Sequence, residues 1–312
     1  MTLLTLLTQM LTLLRAALLM AGLTLPEQPA TDKPAPAPAA AQPAAPAPAT
    51  PSPATPTQFK DAEALLDALE RADAGLTSLR ADVRYDKIFE DQGDRQTRLG
   101  RLMFRAQPPA AEGQPARRSF ALLIDELWLG KRRDQKLQMI IFNGEWFVEK
   151  VPADKRFIKR RIARPGDSFD PFKVGEGQFP LPIGQKKADI LSRFDAKLLA
   201  ADAELEGEDD KETAELRAFV AGTYQLRLTI RPELRQAAEM REIRLWYRAQ
   251  TSADGTTVLL PRMARTTHRG GTLSIVRMLN VTLNTPFDTD PFDVSNPPDD
   301  WEITIQDELA KP

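Results

Sequence analysis

Along residues 59–79, Phe59, Ala62, Leu65, Leu66, Leu69, Leu76 and Leu79 recur at helical spacing. The pattern predicts an amphipathic helix with Thr57 as its N-cap and a break near Gly75. A second stripe, Ile190, Leu191, Phe194 and Leu198, predicts another helix over 185–201, with Pro180 and Pro182 just before it. Elsewhere the apolar period is two. Val83, Tyr85 and Phe89 alternate with Asp82, Arg84, Asp86 and Glu90, and Leu102 and Phe104 alternate with Arg101, Met103 and Arg105. Phe120, Leu122 and Ile124 follow, then the runs Met139–Phe142 and Trp146–Val148. Further along come Tyr224, Leu226, Leu228 and Ile230, then Ile243, Leu245 and Tyr247. Leu273, Ile275, Leu279, Val281 and Leu283 form one phase, interrupted by Arg277. About ten strands with one apolar face, punctuated by turn signals such as Asn143-Gly144 and Asp254-Gly255, predict a mainly antiparallel sheet. One large sheet with few helices hides its apolar face by curling, so the expected architecture is mainly β, a partial barrel covered by helices around an apolar cavity.

The two ends of the chain follow other patterns. Residues 26–57 contain 11 Pro and 11 Ala, a composition that forms no core and predicts an extended, disordered linker. Residues 1–25 are apolar apart from Arg15, Gln9 and the threonines. Three readings compete for them. As a membrane span or anchor they would carry Arg15 near the centre, a penalty of roughly 2.5–3.5 kcal/mol. As a secretory signal starting at Met10, Arg15 supplies the basic region and Ala16–Leu25 the apolar one. The third reading is a simple apolar tail. No cysteine follows Gly22, which excludes a lipid-anchored lipoprotein. The folded unit is expected over 58–312.

Composition narrows the chemistry. The 312 residues include no cysteine and one histidine, His268, so disulfides, thiolate metal sites, cysteine nucleophiles and multi-histidine metal sites are excluded. A net charge of −2 gives no global reason to bind nucleic acid. Hydrophobic residues at 42% suffice for a core. No nucleophile elbow, P-loop or zinc-protease motif occurs, and Gly175-Glu176-Gly177, followed by Gln178 and Phe179, reads as a loop. His268 beside Gly270-Gly271 reads as a solvated loop residue, and Asp288, Asp290 and Asp293 as turn formers around Pro286 and Pro291. No enzymatic activity, metal or cofactor is expected.

Charge is locally uneven. Residues 131–164 hold 11 basic and 4 acidic residues, and 202–215 hold 8 acidic and 1 basic. The acidic run reads as a solvated loop or helix end. The basic stretch reads as the polar face of a hairpin or as a docking patch for an acidic partner or lipid head groups, with Lys155, Arg156 and Arg160 as candidates. Strict alternation would point Arg277 at the apolar face, unless a bulge re-aims it; otherwise it is a cation at a cavity mouth. The aromatic strand residues read first as core, and some would line a cavity if the sheet curls.

The order of motifs over about residues 59–305 resembles the outer-membrane lipoprotein carrier (LolA-type) family. A helix holding ALLDALERADAGL leads into a strand, followed by Gly100-Arg101-Leu102, the turn Asn143-Gly144-Glu145-Trp146, alternating strands, and a closing Phe292-Asp293-Val294 before Pro297-Pro298. The family places an arginine directly before a strand-ending proline, whereas Ala106 and Gln107 separate Arg105 from Pro108. The resemblance implies an incomplete antiparallel half barrel that binds lipoprotein acyl chains in the periplasm. Its partners would be an inner-membrane ABC lipoprotein-releasing complex and an outer-membrane acceptor, with the carrier itself a monomer. Under it, the cavity would be lined by Leu102, Phe104, Phe120, Leu122, Phe142, Trp146, Tyr224, Leu226, Tyr247 and Ile275. Arg105, Lys155, Arg156, Arg160 and Arg277 would contact partner or head group. The same fold also serves sensor or scaffold modules of envelope-stress signalling, and that reading stays open.

Overall fold

The computed structural model describes residues 59–309 apart from 73–74, 109–115, 136, 165–173, 175–182, 184–185, 236–237, 254 and 308. The expectations for the apolar leader, the Pro/Ala linker, Thr57, Gly175–Gly177, Pro180, Pro182 and Asp254 lie outside these residues.

Strand-period segments need partners for their backbone N–H and C=O groups, and here they find them in one another. The chain forms β1 (Ser78–Phe89), β2 (Asp94–Gln107), β3 (Arg117–Leu129), β4 (Arg132–Asp134), β5 (Gln138–Phe142), β6 (Trp146–Val151) and β7 (Arg156–Arg161). It continues as β8 (Phe194–Leu199), β9 (Tyr224–Ile230), β10 (Met240–Thr251), β11 (Thr257–His268), β12 (Thr272–Leu283) and β13 (Glu302–Asp307). The helices are α1 (Ala62–Ala72), α2 (Lys187–Leu191) and α3 (Asp210–Val220).

All 13 strands join one sheet in the order β13-β7-β6-β5-β3-β2-β1-β12-β11-β10-β9-β8, with β4 paired to β3. Two meanders, β1 to β7 and β8 to β12, meet where β1 pairs antiparallel with β12. The sheet is open, since β13 and β8 end it without pairing to each other. Every pairing is antiparallel except that of β13 with β7, which is parallel. A parallel neighbour needs a long return of the chain; between β7 and β13 it runs through residues 162–301, whose last part, 284–301, leads from β12 to β13.

Three sequence expectations are corrected. α1 starts from Asp61, whose Oδ1 accepts from the Ala64 N–H at 2.8 Å, and ends at Ala72. Leu79 belongs to β1, where Leu79, Ala81 and Val83 are buried with period two. The helix expected over 185–201 stops at Leu191, because Phe194, Ala196 and Leu198 alternate with Asp195 and Lys197 and pair with β9 as strand. The acidic run, expected as a loop or helix end, is a loop that leads into the start of a third helix. Asp209 Oδ1 accepts from the Glu212 N–H at 2.7 Å, and Asp210 and Glu212 sit in the first turn, where carboxylates suit the helix dipole.

Both faces of the sheet are covered. On one, termed the inner face, Leu65, Leu66 and Leu69 of α1 and Ile190 of α2 pack on strand side chains from β1, β2, β3, β5, β6, β9, β10, β11 and β12. Each fully buried leucine contributes roughly 1.5–3 kcal/mol. Those three leucines therefore hold an 11-residue helix that would be marginal by itself. On the outer face, Leu205 and the α3 residues Leu216 and Val220 pack on Trp246, Met263, Leu273 and Ile275. A separate outer cluster sets Phe292, Phe287 and Trp301 against Ala121, Ile141, Val148 and Phe157.

Two local irregularities set which face each residue takes. At Gly100 the β2–β3 register slips, and a Cβ there would lie 2.0 Å from the Leu123 carbonyl oxygen, so only glycine fits. In β12 the register against β1 slips around Asn280, which has φ 46°.

Candidate functional site

The β12 bulge resolves the Arg277 anomaly. Before it, Leu273, Ile275 and Arg277 face outward while Val276 and Met278 face inward; after it, Val281 and Leu283 face inward. The apolar phase read through Leu273, Ile275, Leu279, Val281 and Leu283 is thus two phases joined by a bulge. Ile275 consequently packs with Trp246 and Met263 under α3. Arg277 Nη2 donates to Asp86 Oδ2 at 2.7 Å on the outer face, so it is not a cavity-mouth cation.

Trp146 also lies outward. It alternates with Phe147 of the inner cluster, and Lys159 and Arg161 stand over its ring at 4.8 and 5.8 Å. The remaining apolar candidates come together on the inner face. Leu102 pairs across strands with Leu122, Phe104 with Phe120, Phe120 with Phe142, and Tyr224 with Tyr247. Leu226 lies beside Leu245, and the Phe120 and Phe142 rings are 6.1 Å apart. Tyr224 meets Phe59 edge to face at 4.7 Å. The alternation also held Leu228, Ile230 and Leu245, which belong to the same surface. Val276 and Met278 had no readable signal, since the bulge hid their phase.

Tyr247 stands out on this surface. It is 2% exposed, and among the described residues its hydroxyl makes no hydrogen bond. Burial pushes its pKa up. A buried, unpartnered hydroxyl is a donor left available within an otherwise apolar region.

The inner face changes character toward the β1–β2 and β11–β12 hairpins. Tyr85, Lys87, Gln96, Arg98, Ser274 and His268 occupy it there. The Tyr85 and Ser274 hydroxyls are 3.4 Å apart, and Ser274 Oγ is 3.3 Å from His268 Nε2. His268 is therefore a half-buried residue of β11, not a solvated loop residue. Its pKa is lowered by burial, then by the Lys87 charge, with Glu239 opposing.

The five cationic candidates are held within the chain. Lys155 Nζ reaches Asp300 at 2.6 Å, Arg156 reaches Glu149 at 3.4 Å, and Arg160 Nε donates to Gln306 at 2.9 Å. Arg105 lies 3.4 Å from Asp290 and stacks over the Phe292 ring at 4.4 Å. Beside it, a cleft of about 470 Å³ is bordered by Ser78, Arg105, Gln107, Pro108 and Pro286. Asp290 and Asp293 accept from the N–H groups of Phe292 and Ser295 at 3.2 and 2.9 Å, the turn-forming role expected of them. The Asn143-Gly144 turn forms as expected, with Asn143 Oδ1 accepting from the Trp146 N–H at 2.9 Å and Gly144 at φ 99°. No helix among the described residues is long and apolar enough to cross a membrane.

No family model and no curated protein matches the chain. Among solved structures it is similar to an uncharacterized conserved protein from Thermus thermophilus, at 11% identity and TM-score 0.38, covering 77% of this chain and 98% of that one. A LolA superfamily protein from Nitrosomonas europaea gives 13% identity and TM-score 0.31 over 74% and 96% of the two chains. LprF from Mycobacterium bovis gives 12% and 0.34 over 74% and 96%. Likenesses at these scores do not bear on function.

Proposed function

We propose that this protein is a periplasmic carrier that takes the acyl chains of lipoproteins, or a related lipid, between the inner face of its sheet and the helices α1 and α2. The observation that supports this most is how that face is closed. A broad apolar surface, with Leu102, Phe104, Phe120, Phe142 and Leu226 at most 1% exposed, is covered among the described residues by helices of 11 and 5 residues together with Val174 and Ile183. Such short helices can leave while the sheet keeps its ladders. Each buried methylene contributes about 0.8 kcal/mol, so one long acyl chain supplies on the order of 10 kcal/mol to replace the leucines it displaces. Release then needs only the helices to return. The unpartnered Tyr247 hydroxyl adds one donor for an ester or amide carbonyl of the cargo. No chemical step is part of this role.

By the resemblance of its motifs, the carrier would accept cargo from an inner-membrane ABC complex and pass it to an outer-membrane acceptor. Native mass spectrometry of the extracted protein, incubated with a labelled lipopeptide, tests the role. Uptake at one lipid per chain is expected, and repeated isolation without acyl ligand, together with no uptake, would sink it. A second reading, an anchored sensor or scaffold module, is favoured by the apolar residues 1–25 ahead of the Pro/Ala stretch, because a tethered domain does not shuttle. N-terminal sequencing of the exported protein separates the two.

A further inference from the structure

The two faces of the sheet treat their arginines differently. On the outer face, Arg84, Arg95 and Arg277 all converge on one carboxylate, Asp86, whose side chain is 0% exposed. Arg98 lies one strand away on the inner face, directly opposite Tyr85, and among the described residues it forms no ion pair. Its bond is to the Gln96 side-chain oxygen at 3.3 Å, and its guanidinium stands 5.7 Å over the Tyr85 ring. Burial depresses its pKa, as expected for a guanidinium without a counter-ion.

Arg98 has company. Lys87 pairs across β1 and β2 with Gln96 and across β1 and β12 with Ser274, which puts it on the same patch. The hydroxyls of Tyr85 and Ser274 and the His268 ring complete a run of donors spanning four adjacent strands, β2, β1, β12 and β11. Glu239 acts on His268 by charge, and Asp94 lies at the hairpin itself, exposed. The patch is cationic, and it continues directly into the apolar surface through Tyr85, Val83 and Val276.

We propose that this patch binds the phosphate of an anionic lipid head group, with Arg98 and Lys87 as the cationic contacts and Tyr85 and Ser274 as hydroxyl donors. The ligand class is then an acyl lipid carrying net negative charge, whose chains lie on the apolar surface while its phosphate caps Arg98. Guanidinium–phosphate hydrogen bonds are charge-assisted and favour such a group strongly where water is partly excluded. This inference rests on the acyl-binding role proposed above and adds the head-group class to it.

The test uses the full chain after lipid extraction. It is offered vesicles of phosphatidylglycerol or of phosphatidylcholine with identical acyl chains, and bound lipid is counted by native mass spectrometry. Uptake of phosphatidylglycerol about tenfold above phosphatidylcholine is expected, corresponding to one charged contact. In the double variant R98Q/K87Q the two lipids should bind alike, while R98K should keep the preference. Thermal melts confirm that each variant is folded, and if R98Q/K87Q fails to fold, the single variant K87Q should show a reduced preference. Equal uptake by the unaltered protein overturns the head-group inference and leaves the carrier role standing. Uptake of neither lipid overturns both. Inorganic phosphate that binds as tightly as the anionic lipid would show a free-anion site and overturn the inference. So would protein that sediments with anionic vesicles without extracting lipid, which would show a membrane-docking patch.

Discussion

Asp86 gathers four side chains on the outer face, accepting from Arg84, Arg95, Thr97 and Arg277. Burial would raise its carboxyl, but hydrogen bonds from Arg84, Thr97 and Arg277 outweigh that and hold it well below the ordinary carboxylate range. Arg95 extends the network to Glu212 of α3 at 2.7 Å, so one aspartate links β1, β2, β12 and a helix. Asp86→Asn leaves buried guanidinium groups without their counter-charge and should lower stability by about 3 kcal/mol in urea denaturation at pH 7. Because the folded carboxyl titrates below its unfolded value, its contribution is complete above about pH 5 and is lost progressively as pH falls further. The gap between the unaltered protein and D86N should therefore stay constant from neutrality to about pH 5 and narrow under stronger acid. Tyr247→Phe should do the opposite to stability. Removing an unpartnered buried hydroxyl should stabilise the ligand-free protein by about 1 kcal/mol, seen as a higher melting temperature. At this scale the sequence is informative about apolar residues and silent about polar ones. Leu102, Phe104, Phe120 and Phe142 are readable because alternation is a local property. The shared counter-ion of Arg84, Arg95 and Arg277 depends on register between strands distant in sequence, which no local pattern encodes.

The elements show where period alone misleads. Phe194 and Leu198 fit a helical stripe and a strand alternation equally well, and pairing with β9 decides between them. The acidic run is legible as a loop or helix end, yet the buried face of its helix consists only of Leu216 and Val220, too few to announce a helix. Its cap matters correspondingly more. Asp209→Ala should lower stability by about 1 kcal/mol in thermal melts, with the loss confined to α3 amides in hydrogen exchange. Gly100 is a sharper case. G100A forces a methyl onto the Leu123 carbonyl and should cost roughly 3 kcal/mol, measured by denaturant midpoint. The motif Gly100-Arg101-Leu102 marks the position, but its reason, a close backbone approach at a bulge, is visible only once β3 is in place. Leu66→Ala should release α1 selectively, with α1 amides exchanging faster while β2 and β3 remain protected.

At the scale of the sheet, the class was legible and the order was not. Alternation announced a mainly antiparallel sheet, and turn chemistry announced its hairpins. The seam between β1 and β12, the parallel docking of β13 and the outer helix depend on contacts between distant segments. Composition shaped the candidate site as much as pattern did. The chain has no cysteine and one histidine, and on the outer face Arg95, Arg277, Asp86 and Glu212 are held in ion pairs. The inner face is apolar in its middle and cationic at one end.

The seam has a consequence for how the molecule comes into being. Thr77 and Asn284 bond side chain to side chain at 3.1 Å although 207 residues separate them along the chain. A nascent chain meets these segments in order, so β1 waits with one edge bare until β12 emerges. β7 waits as well, for residues 302–307, which come after β12. Throughout that interval both strands are open templates for any extended peptide, including a neighbouring copy. High contact order also makes the final closure slow. The protein's period of greatest exposure is thus before it is finished, and a holdase acting during synthesis would protect those two edges.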